Sequence, residues 1–401
     1  MKDRYNVAVT VGLCFLVAVL EGFDIQALGV AAPRLAPQFA LDARQMGWVF
    51  SISNIGLVIG ASMGGWLADK HGRKPVLIGA VALFGCFTFG TAFTDGYQSL
   101  LAARFCAGLG FGAALPNMVA IAAEISRPQK AASAAAAMFC GMPFGGGLAA
   151  LTTQLLPAEF DWRTLFIAGG ILPVLLIPAL HRLMPETLGR SADPKPDKQV
   201  VHALFGEGRA APTLLLWLAF LPTLLILYLF LNWLPTLVIA RGLERAAAPL
   251  ASLAFNFGSV AGALLIGWLV DRFHFRWPLT LAYLALVAAL LALTSATGQA
   301  NVFALSGAVG FFLLGANYAL YGVVPAFYPQ PVRGTGSGAS IAVGRVGAIA
   351  GPLMAGMLMG SGSSASTVMQ YMIPVAAIAA IAVFMLGSCS TGNLHRSTGV
   401  H

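Results

Sequence analysis

Four charged residues stand in stretches that are otherwise apolar. Glu21 and Asp24 lie three residues apart in the first such stretch, and Arg104 and Arg345 interrupt two others. An ionised side chain at the centre of a membrane-spanning helix costs at least about 2.5–3.5 kcal/mol, so each of these needs a partner, a wet cavity or a function. A spacing of three puts Glu21 and Asp24 on one helical face. Two carboxylates sharing one low-dielectric site cannot both stay ionised cheaply, which is the chemistry of a site that takes up and releases protons. The other reading is a pair held neutral for good by an arginine or by interhelical hydrogen bonds. A guanidinium keeps its charge at any working pH and can fork onto a carboxylate, so Arg345, with no acid in its own segment, is expected to anchor an organic anion. Arg104 has two open readings: a second anchor, or a partner of Asp24 or Glu21 that relays their protonation state.

Holding such side chains requires helices that cross a membrane. Of the 401 residues 58% are hydrophobic and 9% charged, with a mean hydropathy of +0.81, too apolar for a surface of ordinary aqueous chemistry. Val7 to Ala32 would reach about 39 Å at 1.5 Å per residue, enough to cross a hydrocarbon core of about 30 Å with some tilt. That run is too long for a secretory signal, and more apolar runs follow it. Further spans are expected near 46–67, 76–94, 97–121, 131–156, 163–183, 212–239, 249–270, 278–297, 302–327, 338–360 and 367–387. The fold class expected is an all-α membrane protein of twelve spans. Gly- and Pro-rich runs at 141–147 and 344–352 leave room for broken helices. Cys14, Cys86, Cys106, Cys140 and Cys389 sit in or beside apolar runs without paired spacing, so no disulfide framework, metal or cofactor is expected. No GxxxxGK[ST] loop occurs, which leaves ion and solute gradients as the driving force.

With the N-terminus in the cytoplasm, most of the 23 Lys and Arg fall inside, among them Lys2, Arg4, Lys70, Arg73, Lys74, Arg127, Lys130, Arg182, Arg190, Lys195, Lys198, Arg272, Arg276, Arg333 and Arg396. Arg34, Arg44, Arg163, Arg241 and Arg245 fall outside, a bias that places both termini in the cytoplasm of a bacterial inner-membrane protein. The net charge of +8 is distributed between spans rather than on one face, so topology explains it and nucleic acid is not expected as a partner. Pro185 to Ala211 has a linker's composition and divides residues 1–184 from 212–401. The two halves echo each other. Gly64 to Lys74 is answered by Gly267 to Arg276, and the run from Gly141 to Gly147 by Gly347 to Pro352, which marks a six-span repeat whose fifth and eleventh spans line the seam.

Gly65-Trp-Leu-Ala-Asp69-Lys-His-Gly72-Arg73-Lys74 resembles the loop signature of the major facilitator superfamily, and Arg104-Phe-Cys-Ala-Gly108-Leu-Gly110 resembles its fourth-helix motif. Glu21-Gly-Phe-Asp24-Ile-Gln, Ala113-Ala-Leu-Pro-Asn117, Glu124, Asn232-Trp-Leu-Pro235 and Gly344-Arg345 are similar to the aromatic acid/proton symporter branch, over nearly the whole chain. The resemblance implies two six-helix bundles, monomeric, working by alternating access on an aromatic carboxylic acid such as 3-(3-hydroxyphenyl)propionate or a hydroxybenzoate. It favours Asp24 as the proton carrier, with Glu21 departing by one methylene from the commoner aspartate, and it implies that Asp24→Asn abolishes pH-driven accumulation with expression intact. It also implies a loop around Asp69 and Arg73 that locks one conformation, with Asp271 and Arg276 as a weaker copy and Arg333 as a further charged gate. Glu124 is expected to pair with Arg73 or Arg127.

An aromatic cargo needs ring-sized apolar walls with a few polar contacts. Tyr228, Asn232 and Trp233, then Asn256 between Phe255 and Phe257, then Asn317, Tyr318 and Tyr321 supply candidates. Intramembrane asparagines seek partners, so Asn117, Asn232, Asn256 and Asn317 are expected to face the interior, with Phe255 and Phe257 as packing. Rival cargoes on the same fold are an aliphatic organic acid or an exported drug exchanged for protons. A membrane-embedded enzyme would need a nucleophile with a base at helical spacing, and none stands out.

Overall fold

The computed structural model describes residues 7–125, 138–155, 161–186, 200–245 and 247–389. Twelve long helices carry the chain: α1 Val7–Gln38, α2 Ala43–His71, α3 Arg73–Thr91, α4 Tyr97–Ile125, α5 Gly141–Leu155, α6 Arg163–Leu183, α7 Ala210–Ala240, α8 Ala247–Arg272, α9 Arg276–Ser295, α10 Gln299–Val323, α11 Arg333–Gly360 and α12 Ala365–Cys389. No strand occurs among the described residues. Each expected apolar run holds one long helix within its described residues, the fifth being described only over 138–155, because a backbone in lipid must satisfy its own hydrogen bonds. The ends are set by polar chemistry. Asp42 opens α2 with a capping box, its carboxylate accepting from Gln45 N at 2.7 Å while Gln45 Oε1 accepts from Asp42 N at 3.0 Å. Gly72, at φ 92°, makes the turn from α2 into α3 that a side chain would strain.

The packing repeats. In the first half α1 lies on α5, α2 on α4, and α3 on α6; in the second α7 lies on α11, α8 on α10, and α9 on α12. Because lipid is as apolar as the helices, close backbone approach holds these pairs rather than the hydrophobic effect. At the α1–α5 crossing a Cβ on Gly22 would overlap the carbonyl of Met142, and one on Gly145 would overlap that of Val19. The outer faces present Trp66, Leu175, Leu264, Trp277 and Ile381, all more than half exposed, as a surface for lipid.

The halves meet along α1–α7, α2–α11 and α5–α8. At the end away from the termini α2 and α11 touch almost backbone to backbone, since a Cβ on Gly47 would sit 3.0 Å from Pro352 O. That end is closed. Both Gly- and Pro-rich runs, 141–147 in α5 and 344–352 in α11, are continuous helix, and a turn at Cys140 precedes α5.

Of the expected linker, residues 187–199 lie outside the described residues, with Arg190, Lys195 and Lys198, as do Lys2, Arg4, Arg127, Lys130 and Arg396. Its remainder is more ordered than its composition suggests. Val200–Phe205 is a short helix, and α7 starts at Ala210. Arg209 ties them, donating from Nε to Ala203 O at 2.9 Å and from Nη1 to Glu207 Oε2 at 2.5 Å. That hydrogen bond holds the Glu207 carboxyl below its usual range.

Candidate functional site

The first-span acids are both buried, and their surroundings differ. Asp24 accepts from Arg104 Nη1 at 2.9 Å and Nη2 at 2.5 Å, a bidentate fork, and from Thr88 Oγ1 at 2.8 Å. Arg104 also donates from Nε to Ser53 Oγ at 3.3 Å and lies over the Phe166 ring at 5.7 Å. Helices α1, α2, α3, α4 and α6 thus close round one ion pair inside the first half. Thr88 and Ser53 carry no signal in the sequence, being hydroxyls of a kind that caps helix carbonyls everywhere.

Glu21 lies one turn from Asp24 along α1, and neither carboxylate oxygen has a hydrogen-bond partner among the described residues. Burying an ionised carboxylate without a partner is far costlier than burying its protonated form. Arg345 and Asp24 are the charges whose fields reach it. Arg345, on α11 across the seam, donates from Nη1 to the Tyr228 hydroxyl at 2.9 Å and makes no ion pair among the described residues. Tyr228 comes from α7, and Tyr321 of α10, packed edge-on to Phe220 at 5.2 Å, stands in the same field.

The expected polar wall divides. Asn317 is 4% exposed, and its Oδ1 has no partner among the described residues. Asn256 donates to Gln26 Oε1 at 3.0 Å across the seam and to Ser252 O at 2.8 Å. Asn232 turns back on its own helix, to Tyr228 O at 2.7 Å. Asn117 does not face the midplane: its amide donates to Ala113 O at 2.8 Å and Gly64 O at 3.4 Å, bracing α4 against α2. Tyr318, Gln26, Ser51 and Asn54 bind across the seam; the sequence marks Tyr318 and, as the end of the first-span motif, Gln26, but not Ser51 or Asn54.

The charged loops are also rearranged. Glu124 forms an ion pair with Arg73, one of its two expected partners, linking α4 to α3, while Asp69 is exposed at the end of α2. Asp271 and Arg276 do not pair; the start of α9 directs the Arg276 guanidinium onto the Phe384 ring of α12 at 4.1 Å, so this loop is no copy of the first. Arg333 is exposed and donates to Tyr328 O at 3.4 Å. No cluster of three or more His, Cys, Asp or Glu that could hold a metal occurs among the described residues.

Known proteins share both the sequence and the shape. The family model described as Major Facilitator Superfamily matches residues 14–352. The chain is 42% identical to the 3-(3-hydroxy-phenyl)propionate transporter of Escherichia coli K12, over 94% of each chain. It is 34% identical to the 4-hydroxybenzoate transporter PcaK of Pseudomonas aeruginosa, over 94% of this chain and 92% of that one. In shape it resembles the inward open xylose transporter XylE of E. coli, with a TM-score of 0.76 at 16% identity over 95% of each chain.

Proposed function

The chain belongs to the major facilitator superfamily, and from that membership we propose that it imports an aromatic carboxylic acid with protons by alternating access. It is a multi-pass inner-membrane transporter rather than an enzyme. The cargo read from its relatives is 3-(3-hydroxyphenyl)propionate or a hydroxybenzoate-like acid, and the bias of Lys and Arg between spans supports termini in the cytoplasm.

One observation carries the coupling: an unpaired guanidinium, Arg345, in electrostatic reach of an unpartnered carboxyl, Glu21, on opposite halves. Asp24, which the family resemblance favours as proton carrier, is already engaged by the Arg104 fork and the Thr88 hydroxyl, so in this reading the unpartnered Glu21 carboxyl carries the proton instead. A substrate carboxylate binds Arg345 in the fork that Tyr228 has oriented. The chamber is then neutral, and the halves can move past each other without carrying net charge through the hydrocarbon. When Glu21 loses its proton to the other side, its carboxylate competes with the substrate for Arg345 and expels it. Cargo and proton therefore travel together. Tyr321, Asn317 and Asn256 line the ring's side of the chamber. Arg104 serves as relay rather than anchor, because both terminal nitrogens are already bonded to Asp24. Asp69, Arg73, Glu124 and Arg333 form the gate at the terminus-bearing end.

The test is uptake of labelled 3-(3-hydroxyphenyl)propionate into proteoliposomes under an inward proton gradient. Wild type is expected to accumulate it and to lose accumulation when the gradient is collapsed. Arg345→Gln should abolish binding, and Glu21→Gln should bind and exchange cargo without responding to the gradient. Gradient-driven accumulation by Glu21→Gln would overturn the coupling.

A further inference from the structure

Five hydrogen bonds cross between the halves among the described residues, and three of them end on a carbonyl four residues before a proline. Gln26 Nε2 donates to Leu231 O at 3.2 Å, ahead of Pro235. Asn54 Nδ2 donates to Ala348 O at 3.3 Å, ahead of Pro352. The Tyr318 hydroxyl donates to Phe139 O at 3.2 Å, ahead of Pro143. In a helix the carbonyl of residue i accepts from the N–H of residue i+4, and proline has none. Each proline therefore leaves one carbonyl without that partner: Leu231 and Ala348 inside α7 and α11, where lipid offers no substitute, and Phe139 beside the turn at Cys140, with Pro143 in the first turn of α5. The opposite half supplies the missing donor. The other two crossings, Ser51 to Ile349 O at 2.8 Å and Asn256 to Gln26 at 3.0 Å, involve no such carbonyl.

We propose that Pro143, Pro235 and Pro352 create the latches on which the two halves open and close, with Tyr318, Gln26 and Asn54 as the positioning residues that engage them. The latches sit at two levels. Gln26 and Asn54 lie about 16–18 Å along their helices from the end away from the termini, and Tyr318 about 7 Å from the terminus-side end of α10, at 1.5 Å per residue. Opening the far end must break the bonds of Gln26 and Asn54; opening the terminus side must break that of Tyr318. Water entering the opened cleft hydrates the released carbonyl, so breaking a latch is cheap where the cavity is wet and costly where it is dry. That asymmetry favours one open end at a time.

The inference rests on the alternating-access reading and not on the cargo or the proton, so its test uses neither. The full chain, with its five native cysteines replaced, is reconstituted and spin-labelled at Arg44→Cys with Ser361→Cys for the far end, or at His71→Cys with Phe273→Cys for the terminus side. Tyr318→Phe, which keeps the ring, should raise the population open on the terminus side by roughly three- to tenfold; Asn54→Leu should raise the far-open population by a similar factor. Pro352→Ala restores an N–H that satisfies Ala348 O within α11, so it should mimic Asn54→Leu, and the double variant should shift no further than either single one. Tyr318→Phe with Pro143→Ala forms a second cycle should the first set fail to fold. Multiplying effects in these cycles, or both donors shifting the same end, would overturn the latches. Two populations whose balance ignores the substitutions would overturn the latches and leave alternating access standing, whereas a single population in every variant would overturn both.

Discussion

Arg104 commits three nitrogens to Asp24 and Ser53, whereas Arg345 commits one to a neutral phenol. Removing one partner of a buried ion pair costs about 3–5 kcal/mol, because the other charge is left alone. Asp24→Asn is therefore expected to destabilise the fold, contrary to the expectation from sequence that its expression stays intact. Adding Arg104→Gln should recover much of the loss, read as thermal unfolding in detergent; equal stability of Asp24→Asn and wild type would count against the pairing. In the proposed scheme, in which Glu21 carries the proton, Glu21→Gln exchanges one neutral, unpartnered group for another and should unfold within a few degrees of wild type. All four charges stood out in the sequence because lipid makes each one conspicuous. Which arginine meets which acid did not, since Asp24 and Arg104 are 80 residues apart and join only through the crossing of α1 and α4. Asn117 shows the same limit: an asparagine's need of a partner is legible, but whether that partner is a substrate or the neighbouring helix is decided by rotation about α4.

The helices themselves were legible almost throughout, because length and apolarity alone decide a span. Their ends ran past the expected limits where polar side chains finish them, as Asp42 and Gln45 do for α2. The short helix Val200–Phe205 was not legible: its stability comes from Arg209 and Thr213, which lie outside it. At this scale the glycines make a sharp forecast. Gly22→Val should lower thermal stability markedly by forcing α1 off α5, while Gly79→Ala, where an added Cβ meets nothing within 4 Å, should change stability by no more than about 1 kcal/mol. Similar melting curves for the two variants would mean the α1–α5 crossing is looser than described.

For the molecule as a whole, the proposed cycle, with one proton on Glu21 and one carboxylate on Arg345, makes the translocated load neutral. Accumulation should then follow the pH difference and ignore an imposed membrane potential. A second proton would add about 2.3 kcal/mol per 100 mV. Valinomycin with a potassium gradient separates these, and a potential-dependent accumulation ratio would rule out the single-proton scheme. The two-fold repeat was visible in the echoed loops, and so was the place of the fifth and eleventh spans at the seam, where α5 meets α8 and α11 meets α2; the side chains that bond across it were not, since Ser51 and Asn54 are unremarkable until α11 is set against them. The Asp24–Arg104 pair has one more consequence, for how the protein is made. At a synthesis rate of about 5–20 residues per second, Arg104 follows Asp24 out of the ribosome roughly 4–16 s later. Over that interval α1 carries two acids with Arg104 not yet synthesised, and Thr88, 64 residues after Asp24, emerges only in its last part. The first helix made should thus be among the last of its half to settle in the bilayer, waiting beside the insertion machinery until α4 arrives.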